Sequence, residues 1–266
     1  MSPLLVIPAR HASTRYPGKP LALLKGATGE SKSLLRRTWE AARQVRGIAR
    51  TVIATDDERI RAHALSFGAE VVMTSDRHLN GTERCAEALD LLGGDHDIVV
   101  NLQGDAPLTP PWFVEALVDA LRARPDMAVA TPVLRTTGAQ LAALLDDRRQ
   151  GRVGGTTAVF GAGHRALYFS KEVIPFTGRD FGAHEATPVF HHVGVYAYRP
   201  DALRGYGAWP PGPLETLEGL EQLRFLEQGQ PLLCVEVEAR GREFWELNNP
   251  SDISRIEAMM ATMGLA

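Results

Sequence analysis

Cysteine is scarce in this chain of 266 residues: Cys85 and Cys234 are its only two, and they form neither a zinc-ligand spacing nor a disulfide framework. With no charged-then-apolar leader at the N-terminus, such sparse cysteine points to a reducing cytoplasm rather than a secreted fate. Long apolar runs are also missing, and none approaches the roughly 20 residues that span a bilayer. Net charge is nearly absent, 29 basic residues against 32 acidic ones giving −3. That balance excludes a surface built for a long polyanion, so no nucleic-acid partner is expected and any phosphate site must be local. What is present, 44% hydrophobic and 23% charged residues, is the make-up of an ordinary globular chain and not of a disordered, collagen-like or coiled-coil one. At this length about 70–75% of the unfolded surface can be buried, so the core needs no metal or disulfide staple.

The pattern along the first half alternates. Leu4–Val6, Thr51–Ala54, Glu70–Met73 and Ile98–Leu102 are β-like, while Ser33–Val45, Asp57–Phe67, Thr82–Leu92 and Pro111–Ala123 are helical. Strands alternating with helices predict βαβ units and a mostly parallel central sheet with flanking helices, an α/β fold. In such sheets ligands bind beyond the carboxyl ends of the strands. The loops to watch are therefore Pro8–Pro20, Thr55–Asp57 and Gln103–Pro107. After the strand Ala128–Pro132 the rhythm changes: a polar helix at Leu141–Arg152, a glycine- and threonine-rich stretch at Gly154–Gly163, and aromatic strands at Ala166–Phe169 and Val189–Tyr198. This predicts an inserted, partly antiparallel subdomain at about 135–200 within a single domain spanning 1–266. A helix at Leu214–Glu227, a strand at Leu232–Val237 and a terminal helix opened by Asn249-Pro250-Ser251-Asp252 complete the chain.

Two loops carry chemistry. Pro8–Pro20 sets Arg10, Arg15 and Lys19, the hydroxyls of Ser13 and Thr14, and Gly18 directly after the first strand, with no acid among them. Triphosphate chemistry needs that mixture: glycine lets backbone N–H groups approach phosphates, and the cations offset charge growing on leaving pyrophosphate. The glycine spacings of a Walker A loop or a GxGxxG fingerprint are absent. The bland alternative is a solvated basic turn. At the end of the fourth strand, Asn101-Leu102-Gln103-Gly104-Asp105-Ala106-Pro107 places a carboxylate where it can hold Mg²⁺ against a nucleotide phosphate, or simply form a turn. Together, the basic loop and the acid point to nucleotidyl transfer.

These segments, with Ala54-Thr55-Asp56, Met73-Thr74-Ser75, Gly81-Thr82-Glu83-Arg84, Ala166–Lys171, His192–Tyr198 and Pro213–Arg224, resemble the sugar-nucleotide cytidylyltransferases, most closely the CMP-Kdo synthetase (3-deoxy-manno-octulosonate cytidylyltransferase) family. The resemblance implies a nucleotide-diphospho-sugar transferase type of fold with a smaller antiparallel dimerisation subdomain, and hence a homodimer. It implies the reaction of CTP with a 3-deoxy-2-ulosonic acid to give a CMP-sugar and pyrophosphate, with Mg²⁺ as cofactor and no covalent nucleophile. In its terms Arg10 and Lys19, with Ala9, Ser13 and Arg15 nearby, grip the triphosphate. Ser75, Gly81, Thr82 and Arg84 line the cytidine side, and Gln103 lies close to both substrates. His192, Tyr196, Glu221 and Gln222 face the sugar acid. Asp105 carries the metal, and Asn248 stands where the family has a second metal-binding Asp.

Three departures bear on that carry-over: Ala106 replaces a polar residue, Asn248 brings no negative charge, and Thr157 stands where a lysine is usual. They leave other readings open: a modified acid such as 8-amino-Kdo, a sialic-type or specialised-metabolite sugar, or a paralogue that holds nucleotide without transferring it. Several residues also have plain alternatives. His192 follows His191 in a strand, and alternation sends the two to opposite faces. The acids of Leu214–Glu227 are otherwise a solvated helix face. Asp56 caps the next helix as readily as it meets a ligand, Asp252 is equally a first-turn acid, and Met259 and Met260 read as packing residues.

Overall fold

The computed structural model describes residues 2–12, 16–153, 155–242, 245–247 and 249–266. β1 (Leu4–Ala9) is buried along its whole length. Its unbroken apolar run suits a strand covered on both faces. A short hairpin, β2 (Leu23–Lys25) with β3 (Ser31–Ser33), precedes α1 (Leu34–Ala42). Then follow β4 (Arg50–Thr55), α2 (Glu58–Ser66), β5 (Glu70–Met73), α3 (Gly81–Leu92), β6 (Val99–Leu102) and α4 (Pro111–Ala123). The second half runs β7 (Val129–Thr137), α5 (Gly138–Arg149), β8 (Thr156–Phe160), β9 (Ala166–Ser170), β10 (Ala186–His192), β11 (Val195–Tyr198) and α6 (Pro200–Ala208). It ends with α7 (Pro213–Glu218), α8 (Leu223–Glu227), β12 (Leu232–Glu236) and α9 (Asp252–Thr262).

Ten strands form one sheet in the order β5-β4-β1-β6-β11-β7-β10-β8-β9, with β12 beside β7. The β5-β4-β1-β6 part is parallel throughout, and β12 runs parallel to β7. β11 lies antiparallel between β6 and β7, so β7 and β12 point the same way as β1. The carboxyl ends of β1, β4, β6, β7 and β12 therefore open on one edge. Segment 135–200 supplies α5 and the antiparallel strands β8 to β11, hydrogen-bonded into this same sheet.

Alternation along β1 divides the core. Leu5 and Ile7 pack with α1 and α4 through Leu35, Phe113 and Leu117, whereas Leu4 and Val6 pack with α3, α6 and α8 through Leu89, Leu203 and Phe225. Each such side chain contributes about 1.5–3 kcal/mol by leaving water. A third cluster seats α9 on the hairpin through Ile256, Met259, Met260 and Leu24, the packing role expected of the methionines. No helix among the described residues is long and apolar enough to cross a membrane.

Local chemistry revises three details. Leu214–Glu227 is not one helix: Gly219 adopts φ 61° and ends α7 with a left-handed cap, so Glu221 and Gln222 sit in the turn before α8 rather than on a helix face. The α2 cap is Asp57, whose carboxylate accepts from the Arg59 and Ile60 N–H groups. Asp56 instead lies 3.3 Å from Arg84. Helix α6 was not expected, although Pro200 and Asp201 at its first turn are ordinary start signals.

Candidate active site

A cleft of about 1800 Å³ lies across the carboxyl ends of β1, β6 and β7, and it brings the two chemical loops together. The loop after β1 is closed by Gly18 N–H donating to His11 O at 2.9 Å, with Gly18 left-handed at φ 72°. A single 3₁₀ turn, Lys19–Leu21, then aims Lys19 inward. Its ammonium is 2.5 Å from Asp105 Oδ2, with side-chain exposures of 13% and 25%. Arg10 is exposed on the cleft wall and donates to Leu79 O at 3.4 Å. Ala9 lines the same wall, while Ser13 and Arg15 lie outside the described residues.

Gly104 makes that meeting sterically available: a Cβ there would lie 2.7 Å from Pro8 O, so any side chain would push the β1 and β6 loops apart. The Asp105 loop is tied down from two directions, by Thr38 Oγ1 donating to Gly104 O at 3.2 Å and by Leu247 N–H donating to Asp105 O at 3.0 Å. Gly81 is similarly close, its ideal Cβ falling 3.0 Å from Gln103 Nε2.

Gln103 Nε2 donates to Glu221 Oε1 at 2.9 Å, and Thr82 N–H donates to Glu221 Oε2 at 3.1 Å. Burial raises the Glu221 pKa above the ordinary carboxylate value, and the Thr82 N–H works against that rise. Tyr196 OH donates to Gln222 Oε1 at 3.1 Å, leaving Gln222 Nε2 buried with no partner among the described residues. His192 is 6% exposed, its ring 2.9 Å from Thr131 Oγ1 and edge-on to Phe169. Burial pushes its pKa down to about 3, so the imidazole is neutral at pH 7.

Gln103, His192, Tyr196, Glu221 and Gln222 all line the cleft with Asp105. The residues expected on the cytidine side are divided. Gly81 and Arg84 reach the wall, but Ser75 and Thr82 do not line it. Ser75 donates its N–H to Glu87, and Arg84, 3% exposed, braces the loop through Thr74 Oγ1 at 2.5 Å and Ser75 O at 3.3 Å. Thr82 Oγ1 is 2.9 Å from Tyr198 OH, behind the wall. His191 lines the cleft as well, despite the alternation that separates neighbouring strand residues. Thr157 does not line the cleft; its hydroxyl donates to Glu172 O and accepts from Ile174 N–H.

Sequence reasoning passed over Arg135, Lys171 and Glu246, which also line the cleft. Lys171 carried a signal, since it immediately follows the Leu-Tyr-Phe-Ser strand.

Among the described residues no group of three or more metal-ligating side chains comes together, and Asn248 lies outside them. A nucleotide-bound Mg²⁺ needs only one or two carboxylates, its remaining positions going to phosphate and water. Asp105 fits that demand: its carboxylate opens to the cleft and already accepts a cation, the Lys19 ammonium.

The sequence profile of a family described as cytidylyltransferase matches residues 4–235. The chain is 44% identical over 264 residues, 99% of both chains, to a protein of Maricaulis maris (strain MCS10) named 3-deoxy-manno-octulosonate cytidylyltransferase. It is 39% identical over 267 residues, covering 98% of this chain and 99% of the relative, to a Shewanella sp. (strain W3-18-1) protein named 8-amino-3,8-dideoxy-manno-octulosonate cytidylyltransferase. Among solved structures it matches CMP:2-keto-3-deoxy-manno-octonic acid synthetase complexed with CTP, with a TM-score of 0.83 and 32% identity over 99% of this chain and 100% of that one.

Proposed function

The chain belongs to the cytidylyltransferase family, and from that premise we propose that it is a nucleotidyltransferase using CTP to activate 3-deoxy-manno-octulosonate (Kdo), releasing CMP-Kdo and pyrophosphate. The observation that carries the reading is the approach of Lys19 to Asp105 between two loops that Gly104 allows to meet. Arg10 and Lys19 supply fixed positive charge for a triphosphate, and Asp105 supplies the carboxylate for Mg²⁺. Asn248 is the second ligand implied by resemblance. Bound Mg²⁺ offsets charge growing on the phosphates during transfer.

In the reaction the anomeric hydroxyl oxygen of the sugar acid forms a bond to the α-phosphorus, and the bond from that phosphorus to the β-phosphate oxygen breaks in line. The electrons leave on pyrophosphate, and the hydroxyl proton is released. Positioning and charge neutralisation account for most of the acceleration, because the side chains have no covalent step to perform. Gln103 is held by Glu221, and in this reading its amide meets both substrates. Neutral His192, Tyr196 and Gln222 offer polar edges to the sugar. The unspent Gln222 Nε2 suits a hydroxyl-rich acid, since a buried donor without a partner is costly until a ligand satisfies it.

Incubation with CTP, Mg²⁺ and Kdo is expected to release pyrophosphate together with a product of CMP-Kdo mass. Silence across a panel of ulosonic acids overturns the assignment. The Shewanella relative motivates one other acceptor, and relative turnover of Kdo and 8-amino-Kdo decides between them. The same reading includes a cytoplasmic homodimer joined through segment 135–200, where Leu167 is 64% and Phe176 93% exposed. Sedimentation showing only monomer removes the dimer.

A further inference from the structure

We infer that Glu83 is a positioning residue that couples the nucleotide side of the cleft to its sugar side through Arg224, an inference that rests on the proposed assignment of those two sides. Glu83 stands in the first turn of α3, where an acid has an ordinary use against the helix dipole. Its carboxylate does more than that, because its two oxygens serve different elements. Oε2 accepts from Leu79 N–H at 2.7 Å, and Oε1 accepts from Arg224 Nη2 at 2.9 Å, across 141 residues of chain.

Each end of this bridge reaches a substrate surface. On the nucleotide side Leu79 lines the cleft, and its carbonyl accepts from Arg10 of the cationic loop. On the sugar side Arg224 is 1% exposed and holds Glu215 through Nε at 2.7 Å and Nη2 at 2.8 Å, with its guanidinium 4.1 Å from the centre of the Tyr206 ring. Tyr206 OH lies 3.2 Å from Glu215 Oε1 and 3.1 Å from Glu221 O. Glu221 in turn grips Gln103 and Thr82 N–H. A continuous polar chain thus runs from Arg10 to Gln103 by way of one buried guanidinium shared between two carboxylates. The α7–α8 turn is held by the fork between Arg224 and Glu215 and by Glu227, which accepts from the Leu214 and Glu215 N–H groups. The Glu83 arm lies outside those bonds and ties the Leu79 wall to Arg224. A ligand that draws Arg10 towards phosphate acts on Leu79, and a ligand that engages Glu221 and Gln222 acts on the other end.

The test measures binding of a CTP analogue carrying a methylene bridge between its α- and β-phosphates, with and without saturating Kdo. In the wild-type protein Kdo is expected to tighten analogue binding at least about fivefold, the lower end of common coupling factors. Glu83→Gln is expected to bring that ratio below about twofold, while affinity for the analogue alone changes less than about threefold. A helix-stabilising role would lower the melting temperature of the variant and leave the ratio intact, and that result overturns the inference. So does a wild-type ratio of one. If Glu83→Gln does not fold, hydrogen exchange on the wild-type protein decides: adding Kdo to the analogue complex slows exchange of the Leu79 amide, and an unchanged rate overturns the inference. Failure of the assigned activity is seen separately, as no pyrophosphate from the wild-type protein with CTP and any of the acids.

Discussion

Replacing Asp105 by Asn separates the two duties assigned to its carboxylate, because the amide keeps the shape and an acceptor oxygen but removes the charge. Lys19 lies 2.5 Å from Asp105 Oδ2, and both side chains are mostly withdrawn from water, at 13% and 25% exposure. At an effective dielectric constant near 20, two unit charges about 4 Å apart interact by about 4 kcal/mol, so this carboxylate holds the ammonium firmly until another cation replaces it. Removing one preorganised charge-stabilising group typically lowers kcat by about 10²–10³, or roughly 3–4 kcal/mol of transition-state stabilisation. Asp105→Asn is therefore expected to lower pyrophosphate release at saturating CTP, Mg²⁺ and Kdo by at least about a hundredfold. The same change frees Lys19 for the phosphates, so CTP affinity measured calorimetrically in EDTA is expected to hold or rise. The two measurements together exclude a misfolded variant, which would lose both. A folded Asp105→Asn protein with wild-type turnover refutes the argument, as does one that turns over slowly but whose CTP affinity without metal has also collapsed.

Gly104→Ala places a methyl 2.7 Å from Pro8 O, a contact with backbone that no rotamer relieves. Turnover is expected to fall at least about a hundredfold, the scale seen when reacting groups are displaced by about 1 Å, and a folded variant with unchanged turnover would show that the loops need not touch. Lys19→Ala is expected to lower turnover by a similar factor of about a hundred and to weaken CTP binding, which pyrophosphate release and calorimetry check. Acid should destabilise the fold through His192. Its folded pKa is pushed down to about 3 by burial while the unfolded ring titrates near 6.5, so the unfolded chain binds the extra proton. The contribution is complete above about pH 6.5 and is lost as pH falls towards the folded value, the loss amounting to about 2 kcal/mol by pH 5. Urea unfolding at pH 7.5 and 5.0 reads it, and a His192→Gln variant with the same pH dependence as wild type would count against the assignment.

The first half of the fold was legible because its strands are buried on both faces and its helices carry regular start signals. Leu4–Val6 reads as a continuous apolar strand, and Pro111 opens α4 as expected of proline at a first helical turn. Helix Leu214–Glu227 was misread because its apolar spacing continues across Gly219, and only the backbone conformation of that glycine reveals the break. The cationic loop and Asp105 were also legible, as residue types at the ends of strands. Their partners were less so. Nothing local tells that Glu221 binds Gln103, or that Arg224 reaches Glu83, since these contacts join segments 118 and 141 residues apart. Arg84 reaches the cleft wall while its donors go to Asp56, Thr74 and Ser75 O, partners that its residue type alone does not reveal.

The distribution of charge explains why glycine and buried polar groups matter as much as the cations. A cleft proposed to assemble a triphosphate, a carboxylated sugar and a divalent ion must bring like charges close without spreading the loops that hold them. Here the acid at the end of β6 is neutralised by Lys19 from the β1 loop, and the space between those loops is fixed by the missing Cβ of Gly104. On the side proposed for the sugar the acids are deeper and more heavily committed. Glu215 and Glu83 share Arg224, and Glu221 is satisfied by an amide and a backbone N–H. Arg224 offsets the charge of Glu215 and Glu83, whereas Glu221 has only neutral donors and burial raises its pKa. At the meeting of the β1 and β6 loops the charge is carried by Arg10, Lys19 and Asp105. Substitutions of these three should change rate and metal dependence, whereas substitutions in the Arg224 cluster should change how strongly the two substrates sense each other.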